Sequence, residues 1–244
     1  MIFRQPFANI FLMLKKENSD KPDKKEELLL EMLRAGVHFG HQKSKWNPKM
    51  AKYVYAVRHH VHIIDLEQTY AKLQEAQNFI SDINKKNQQI LFVGTKKQAQ
   101  KIIREAAESV NMPYVAERWL GGTFTNFKTV IKLAEKLKKL EEKLEEKLST
   151  RDKHKTQQEI SRLKKKVWGI RNMKELPAAA FISDIKENQI AVKEARAMKV
   201  PLVALVDTNT DPSEIDYPIP ANDDALGSIK LLIGEIIKPL EINA

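Results

Sequence analysis

QILFVG, residues 89–94, is a run of apolar side chains that stops at a glycine. A strand covered on both faces reads this way, because neither side of it meets water and no polar residue alternates in. AAAFIS at 178–183 and PLVALVD at 201–207 are of the same kind. Helical spacing lies between them. From Lys96 to Val110 the residues Ala99, Ile102, Ile103, Ala106 and Val110 share one side. Pro113 then breaks the chain before a short strand at Tyr114-Val115-Ala116. Upstream, YVYAVRHHVHII (53–64) reads as two short strands around Arg58-His59-His60, followed by a helix over 66–86. Downstream come a helix over 187–198, a strand at Tyr217–Pro220 and a last helix over 223–237. Strands alternating with helices in this order predict an α/β domain with a parallel sheet covered on both faces.

Residues 128–171 break that rhythm. Val130, Leu133, Leu137, Leu140, Leu144 and Leu148 make a near-heptad stripe, and Ile160, Leu163, Val167 and Ile170 make a second. The polar run 149–155 is read as a reversal, giving an inserted antiparallel coiled-coil helical hairpin. Each stripe is narrow for a core helix, so the hairpin is expected to project into solvent. Excising 130–170 is then expected to leave a folded sheet domain. The divisions expected are a mobile N-terminal extension at 1–25, a sandwich domain from 26–127 and 172–244, and the hairpin at 128–171.

Charge sharpens the functional reading. Of 244 residues, 42 are Lys or Arg and 32 are Asp or Glu, for a net charge of +10. Residues 1–127 carry +7 and residues 128–171 carry +8, whereas residues 201–244 carry −6. Charge needed only for solubility has no reason to segregate, so a basic face toward a polyanion is expected. The absence of cysteine excludes disulfides, thiolate nucleophiles and Cys-ligated metal centres. No apolar run in the sequence approaches the roughly 20 residues of a membrane-spanning helix.

Three patterns could carry chemistry. Gly94-Thr95-Lys96-Lys97-Gln98 enters a helix and could hold a phosphate there, although neither the GxGxxG nor the Walker spacing is present. The histidines His38, His41, His59, His60 and His62, and the acidic set Asp207, Asp211, Asp216, Asp223 and Asp224, could supply metal ligands. The acids also suit plain turn and cap roles. The third pattern is the most informative. HFGHQKSKWNPKMAKY (38–53) interleaves Lys43, Lys45, Lys49 and Lys52 with Phe39, Trp46 and Tyr53. ERWLGGTFTNFK (117–128) sets Arg118 and Lys128 among Trp119, Phe124, Phe127 and Gly121-Gly122. Basic side chains neutralise phosphates and aromatic rings mould to irregular RNA, while the same rings can serve as buried loop anchors.

Seven ordered blocks carry a resemblance: AGVHFGHQ (35–42), WNPKMAKY (46–53), HIIDLEQT (62–69), ILFVGTKKQAQ (90–100), PYVAERWLGGTFTNF (113–127), IAVKEA (190–195) and DTNTDPSEIDYPIPANDDA (207–225). Together they resemble the ribosomal protein S two family of the small ribosomal subunit, bacterial and organellar type, over residues 28–238. The resemblance implies a flavodoxin-like three-layer sandwich with an inserted coiled-coil hairpin. It implies a structural, non-catalytic role between head and body of the subunit, without a cofactor. The implied partners are small-subunit ribosomal RNA and neighbouring ribosomal proteins, including the mRNA-binding protein S one, with no membrane and no homo-oligomer. Carried onto matching positions, the RNA-facing set is His41, Trp46, Asn47, Lys49, Lys96, Lys97, Arg118 and Asn126, joined by Lys43, Lys45, Lys52 and Lys128 from the basic loops. Two positions depart from the family pattern: Ser44-Lys45 stands where arginine is frequent, and Gln189 where histidine is frequent. A ribosome in the cytoplasm is expected in preference to an organellar one. The alternatives are a nucleotide- or metal-dependent α/β enzyme, and a regulatory module binding mRNA away from the ribosome.

Overall fold

The computed structural model describes residues 23–145 and 150–241. Its first helix, α1 (Lys24–Ala35), ends at Gly36, whose φ of 77° lets its N–H fold back onto the carbonyls of Leu33 and Met32. Most of the expected tail lies outside the described residues, and Lys24 and Lys25 belong to this helix. Strands β1 (Phe39–Gln42), β2 (Val54–Arg58) and β3 (Val61–Ile64) form an antiparallel sheet in the order β1-β3-β2. The β2–β3 turn falls on His59 and His60, both with positive φ, the backbone that a two-residue hairpin turn requires. Helix α2 (Leu66–Lys85) follows, its first turn capped by the Asp65 carboxylate, which accepts from the Glu67 N–H.

The rest of the chain builds the main sheet. Strand β4 (Ile90–Val93) leads to helix α3 (Lys97–Ser109) and the two-residue strand β5 (Tyr114–Val115). Helices α4 (Phe127–Glu145) and α5 (Thr150–Val167) come next, then β6 (Ala179–Ile182) and α6 (Gln189–Ala197). Strands β7 (Leu202–Val206) and β8 (Tyr217–Pro220) precede the final helix α7 (Leu226–Glu241). Five parallel strands lie in the order β5-β4-β6-β7-β8. This is the flavodoxin-like 2-1-3-4-5 order, with its switch point between β4 and β6.

Alternate strand residues feed two cores. Ile90, Phe92, Phe181, Val203, Leu205 and Ile219 pack with α1, α2, α3 and α7 on one face. Leu91, Val93, Ala180, Ile182, Leu202 and Ala204 pack with α4, α5 and α6 on the other. Three layers result, and fully buried strands explain why QILFVG and its counterparts show no alternation.

Two expectations about the hairpin change. Only 146–149 separates α4 from α5, which pack side by side, so they run antiparallel. Lys136–Glu159 at 2.5 Å and Lys164–Glu141 at 2.8 Å tie them together. Helix α5 already starts at Thr150, so 150–155 is helical instead of a turn. The hairpin base is also not solvent-exposed: Val130, Ala134, Leu137, Ile160 and Val167 are buried in the second core. Ala134, outside the near-heptad stripe, is buried there too. Farther out, Leu140 and Leu144 are half-buried, as a two-helix arm would have them.

Candidate nucleic-acid interface

The carboxyl ends of β4, β6, β7 and β8 converge where this strand order opens a crevice. Gly94 must stay bare there, since a Cβ would stand 2.5 Å from Ile103 and 2.8 Å from the Ser183 hydroxyl. Two residues on, Lys96 turns its ammonium into carboxylates: Asp184 at 3.0 Å, Asp223 at 3.0 Å and Asp224 at 2.6 Å. Burial opposes its charge, but the three acids outweigh burial and hold its pKa above the ordinary lysine value. His41 from β1 completes the cluster, with Nδ1 at 3.1 Å from Asp207 and Nε2 at 3.4 Å from Asp224. Its hydrogen bond to Asp207 raises its pKa. Asp223, buried and facing Asp207 and Asp184, is pushed up to about 7 despite Lys96.

This geometry bears on the phosphate-loop and metal alternatives. A phosphate at Gly94–Gln98 would have to compete with three carboxylates for Lys96. Among the described residues, His41, Asp207 and Asp224 bring ligand atoms within 4.8 Å of one another. Those atoms already face each other, and Asp224 also holds the Lys96 ammonium. The other histidines do not join them: His59 and His60 are the exposed hairpin turn, and His62 stacks on Trp46 with ring centroids 5.2 Å apart. Nor do all the acids converge. Asp211 caps Ser213, and Asp216 accepts the Leu202 N–H at 2.8 Å.

The basic loop 38–53 divides into paired and free cations. Lys49 reaches Asp211 at 2.5 Å and the Ser213 hydroxyl at 2.9 Å. Although burial works against it, the Lys49 pair holds the Asp211 carboxyl down at about 2. Asn47 caps the short helical turn at Pro48–Tyr53 by accepting the Lys49 N–H, and its own N–H donates to the Thr208 carbonyl. Trp46 and Asn47 are thus half-buried fixtures of the loop. Lys43, Lys45 and Lys52 are exposed, Lys52 lying 4.7 Å from the Tyr53 ring centroid.

The loop 117–128 is organised by a residue that the sequence reading did not single out. Glu194, on α6 and only 9% exposed, accepts the N–H of Gly122 at 2.7 Å and of Phe124 at 3.0 Å, together with the Trp119 indole N–H at 3.3 Å. The Gly-Gly segment wraps one carboxylate. Gly122 sits at φ 89°, and an added Cβ would lie 3.1 Å from that of Asn126. Trp119 and Phe124 are buried against each other, so these rings are loop anchors. Arg118, Asn126 and Lys128 remain exposed, as does Lys97 at the start of α3. A signal for Glu194 existed in IAVKEA: it follows Ala191 by three residues, on the apolar side of the helix.

Comparison with known proteins shows the family to which this fold belongs. The family model described as Ribosomal protein S2 matches residues 32–241. The small ribosomal subunit protein uS2 of Coprothermobacter proteolyticus is 45% identical over 212 residues, spanning 85% of this chain and 79% of that protein. No helix among the described residues is long and apolar enough to cross a membrane. A match over this much of the fold, at this identity, places the chain in the ribosomal protein S2 family.

Proposed function

We propose that the chain is a structural constituent of the small ribosomal subunit that binds ribosomal RNA through exposed cations on rigid loops and performs no catalysis. The observation that carries this reading is the division of its basic residues. Lys43, Lys45, Lys52, Lys97, Arg118 and Lys128 are exposed and form no ion pair among the described residues, whereas Lys49 and Lys96 are committed to carboxylates. Asn126 adds an exposed polar group on the loop that carries Arg118, while Trp46, Asn47 and His41 hold the loops in place. The recruited partners are small-subunit RNA, neighbouring ribosomal proteins between head and body, and the mRNA-binding protein S one. The site of action is a cytoplasmic ribosome.

Six unpaired cations meeting phosphates give a slope of log affinity against log salt of roughly −4 to −5. Titration of the full chain with small-subunit RNA from 50 to 300 mM salt checks this, with sedimentation of the cellular protein alongside small subunits as the second readout. A flat salt response, or a protein that never sediments with small subunits, overturns the reading.

A further inference from the structure

The outer side of α7 carries a groove of about 420 Å³ whose lining is mostly apolar. Gly227 and Gly234, seven residues apart and so on one side of the helix, make its floor. Leu231 and Lys238 flank them on one side, Lys230 and Ile237 on the other. Gly227 has a reason within the described fold, since an added Cβ would stand 3.0 Å from the Ala35 carbonyl oxygen of α1. Gly234 has no such neighbour: among the described residues, no atom lies within 4 Å of where its Cβ would be. Glycine weakens a helix interior relative to alanine, so a bare Gly234 calls for something that lies over it.

The amino end of the chain supplies a segment of matching length in a matching place. The described residues begin at Asp23, just before α1. α1 lies across the first turns of two helices, with Lys25 at 2.6 Å from Glu67 of α2 and Ala35 against Gly227 of α7. α2 and α7 run in the same direction, Gln77 donating to the Glu235 carbonyl and Asn84 to the Pro239 carbonyl, each at 2.8 Å. The chain before Asp23 therefore approaches the groove from its Gly227 end, roughly 18 Å away along the 12 residues of α1. Residues 15–22 can span up to about 30 Å when extended. Upstream of them, Phe7, Ile10, Phe11 and Leu14 have the spacing of one helix face, and Pro6 suits a first turn. Phe7 to Leu14 covers about 10 Å of helix, as does Gly227 to Gly234.

We propose that residues 7–14 form a helix seated in the α7 groove, antiparallel to α7, with Phe7 over Gly234 and Leu14 over Gly227. This direction sets Arg4 toward Glu241 at the carboxyl end of α7, where the helix dipole favours a cation, and Glu17 toward Lys230. A second copy of the chain is the poorer occupant. Two α7 helices laid antiparallel about Gly234 bring Lys230 of each against Lys238 of the other, like charge against like. For residues 7–14 the strap replaces the mobile extension expected from the sequence, and it is independent of the RNA-binding reading.

The chain has no cysteine, so Leu231→Cys in the full chain places a single thiol in the groove wall. Its alkylation by a maleimide should become roughly tenfold faster when Phe7→Asp/Phe11→Asp is added, because charged side chains give up the apolar burial that holds the strap. Ile190→Cys, at a position 60% exposed on α6 over the other sheet face, is the control and should react equally fast with either tail. Both phenylalanines lie outside the two cores, so circular dichroism melts should stay cooperative. Equal rates at the groove thiol with and without the two substitutions overturn the proposal. Protection that grows with protein concentration assigns the groove to a second copy, and protection that requires added small subunits assigns it to a ribosomal neighbour; either result overturns the strap.

Discussion

Replacing Glu194 with alanine should destabilise the protein far more than removing a typical helix glutamate. The carboxylate is the acceptor for two backbone N–H groups and one indole N–H, at 2.7, 3.0 and 3.3 Å, and its surroundings are buried. Each donor left without a partner in such a place costs about 1–3 kcal/mol. Water entering the emptied space will satisfy some of them, so a total of about 3–5 kcal/mol is expected. Typical domains hold about 5–15 kcal/mol of stability, so this loss is a large share of it. For a chain of this size it corresponds to a fall in Tm of roughly 6–20 °C. Glu194→Gln retains one acceptor but turns an amide N–H toward the remaining donors, and should lose about half as much. Urea titration of the three proteins checks the order Ala, Gln, unmutated. The same loop carries Arg118 and Asn126, so RNA affinity should fall in Glu194→Ala although no cation has been removed. An alanine variant within about 1 kcal/mol of the parent would refute the view that this carboxylate organises the loop.

Two further perturbations follow from the geometry. The unfolded chain releases the Asp223 proton near pH 4, whereas the native carboxyl holds it to about 7; stability therefore declines as pH rises through that window and stays reduced above it. His41, raised above its ordinary value, acts in the same direction, its contribution being lost as pH rises through its folded pKa. Thermal melts should give a lower Tm at pH 8 than at pH 5.5, and Asp223→Asn should shrink that difference; an equal difference in both proteins contradicts the cluster's role. Excision of 130–170 should leave a chain that does not fold cooperatively, because it strips cover from Leu91, Val93, Ala180 and Ile182. Removing only 139–157 with a short linker should leave a cooperative melt, and a folded product from the longer excision would show that the hairpin base is dispensable.

What could be read from the chain alone was what short-range pattern encodes. Four or five consecutive apolar residues identify β4, β6 and β7, because a strand buried on both faces has no polar partner face. β1 escaped, being four residues long, partly polar and defined only by its pairing with β3. The start of α5 was missed for the opposite reason. Its first residues, TRDKHK, carry no apolar stripe, and the reading of helices rested on stripes. At the site, exposed and committed lysines look identical in sequence. Lys49 finds Asp211 162 residues away and Lys96 finds Asp223 127 residues away, pairings set by strand order alone.

That strand order also explains why a fold widely used for nucleotides serves here as a scaffold. In the 2-1-3-4-5 arrangement a ligand ordinarily enters at the carboxyl edge beside the first strand of the sheet, where Gly94-Thr95-Lys96 would be its phosphate loop. In this chain the edge is filled from within. Asp184 follows β6, and Asp223 and Asp224 follow β8, and these three take up Lys96, while Asp207 after β7 holds His41. The four carboxylates of the crevice repel a polyanion, and the exposed, unpaired cations Lys43, Lys45, Arg118 and Lys128 lie on other loops. The acidic edge therefore has two effects. It ties β1 and the strand ends together through His41 and Lys96, and it leaves the cations that the proposed function assigns to RNA on surfaces whose shape is fixed by the loops and not by a pocket.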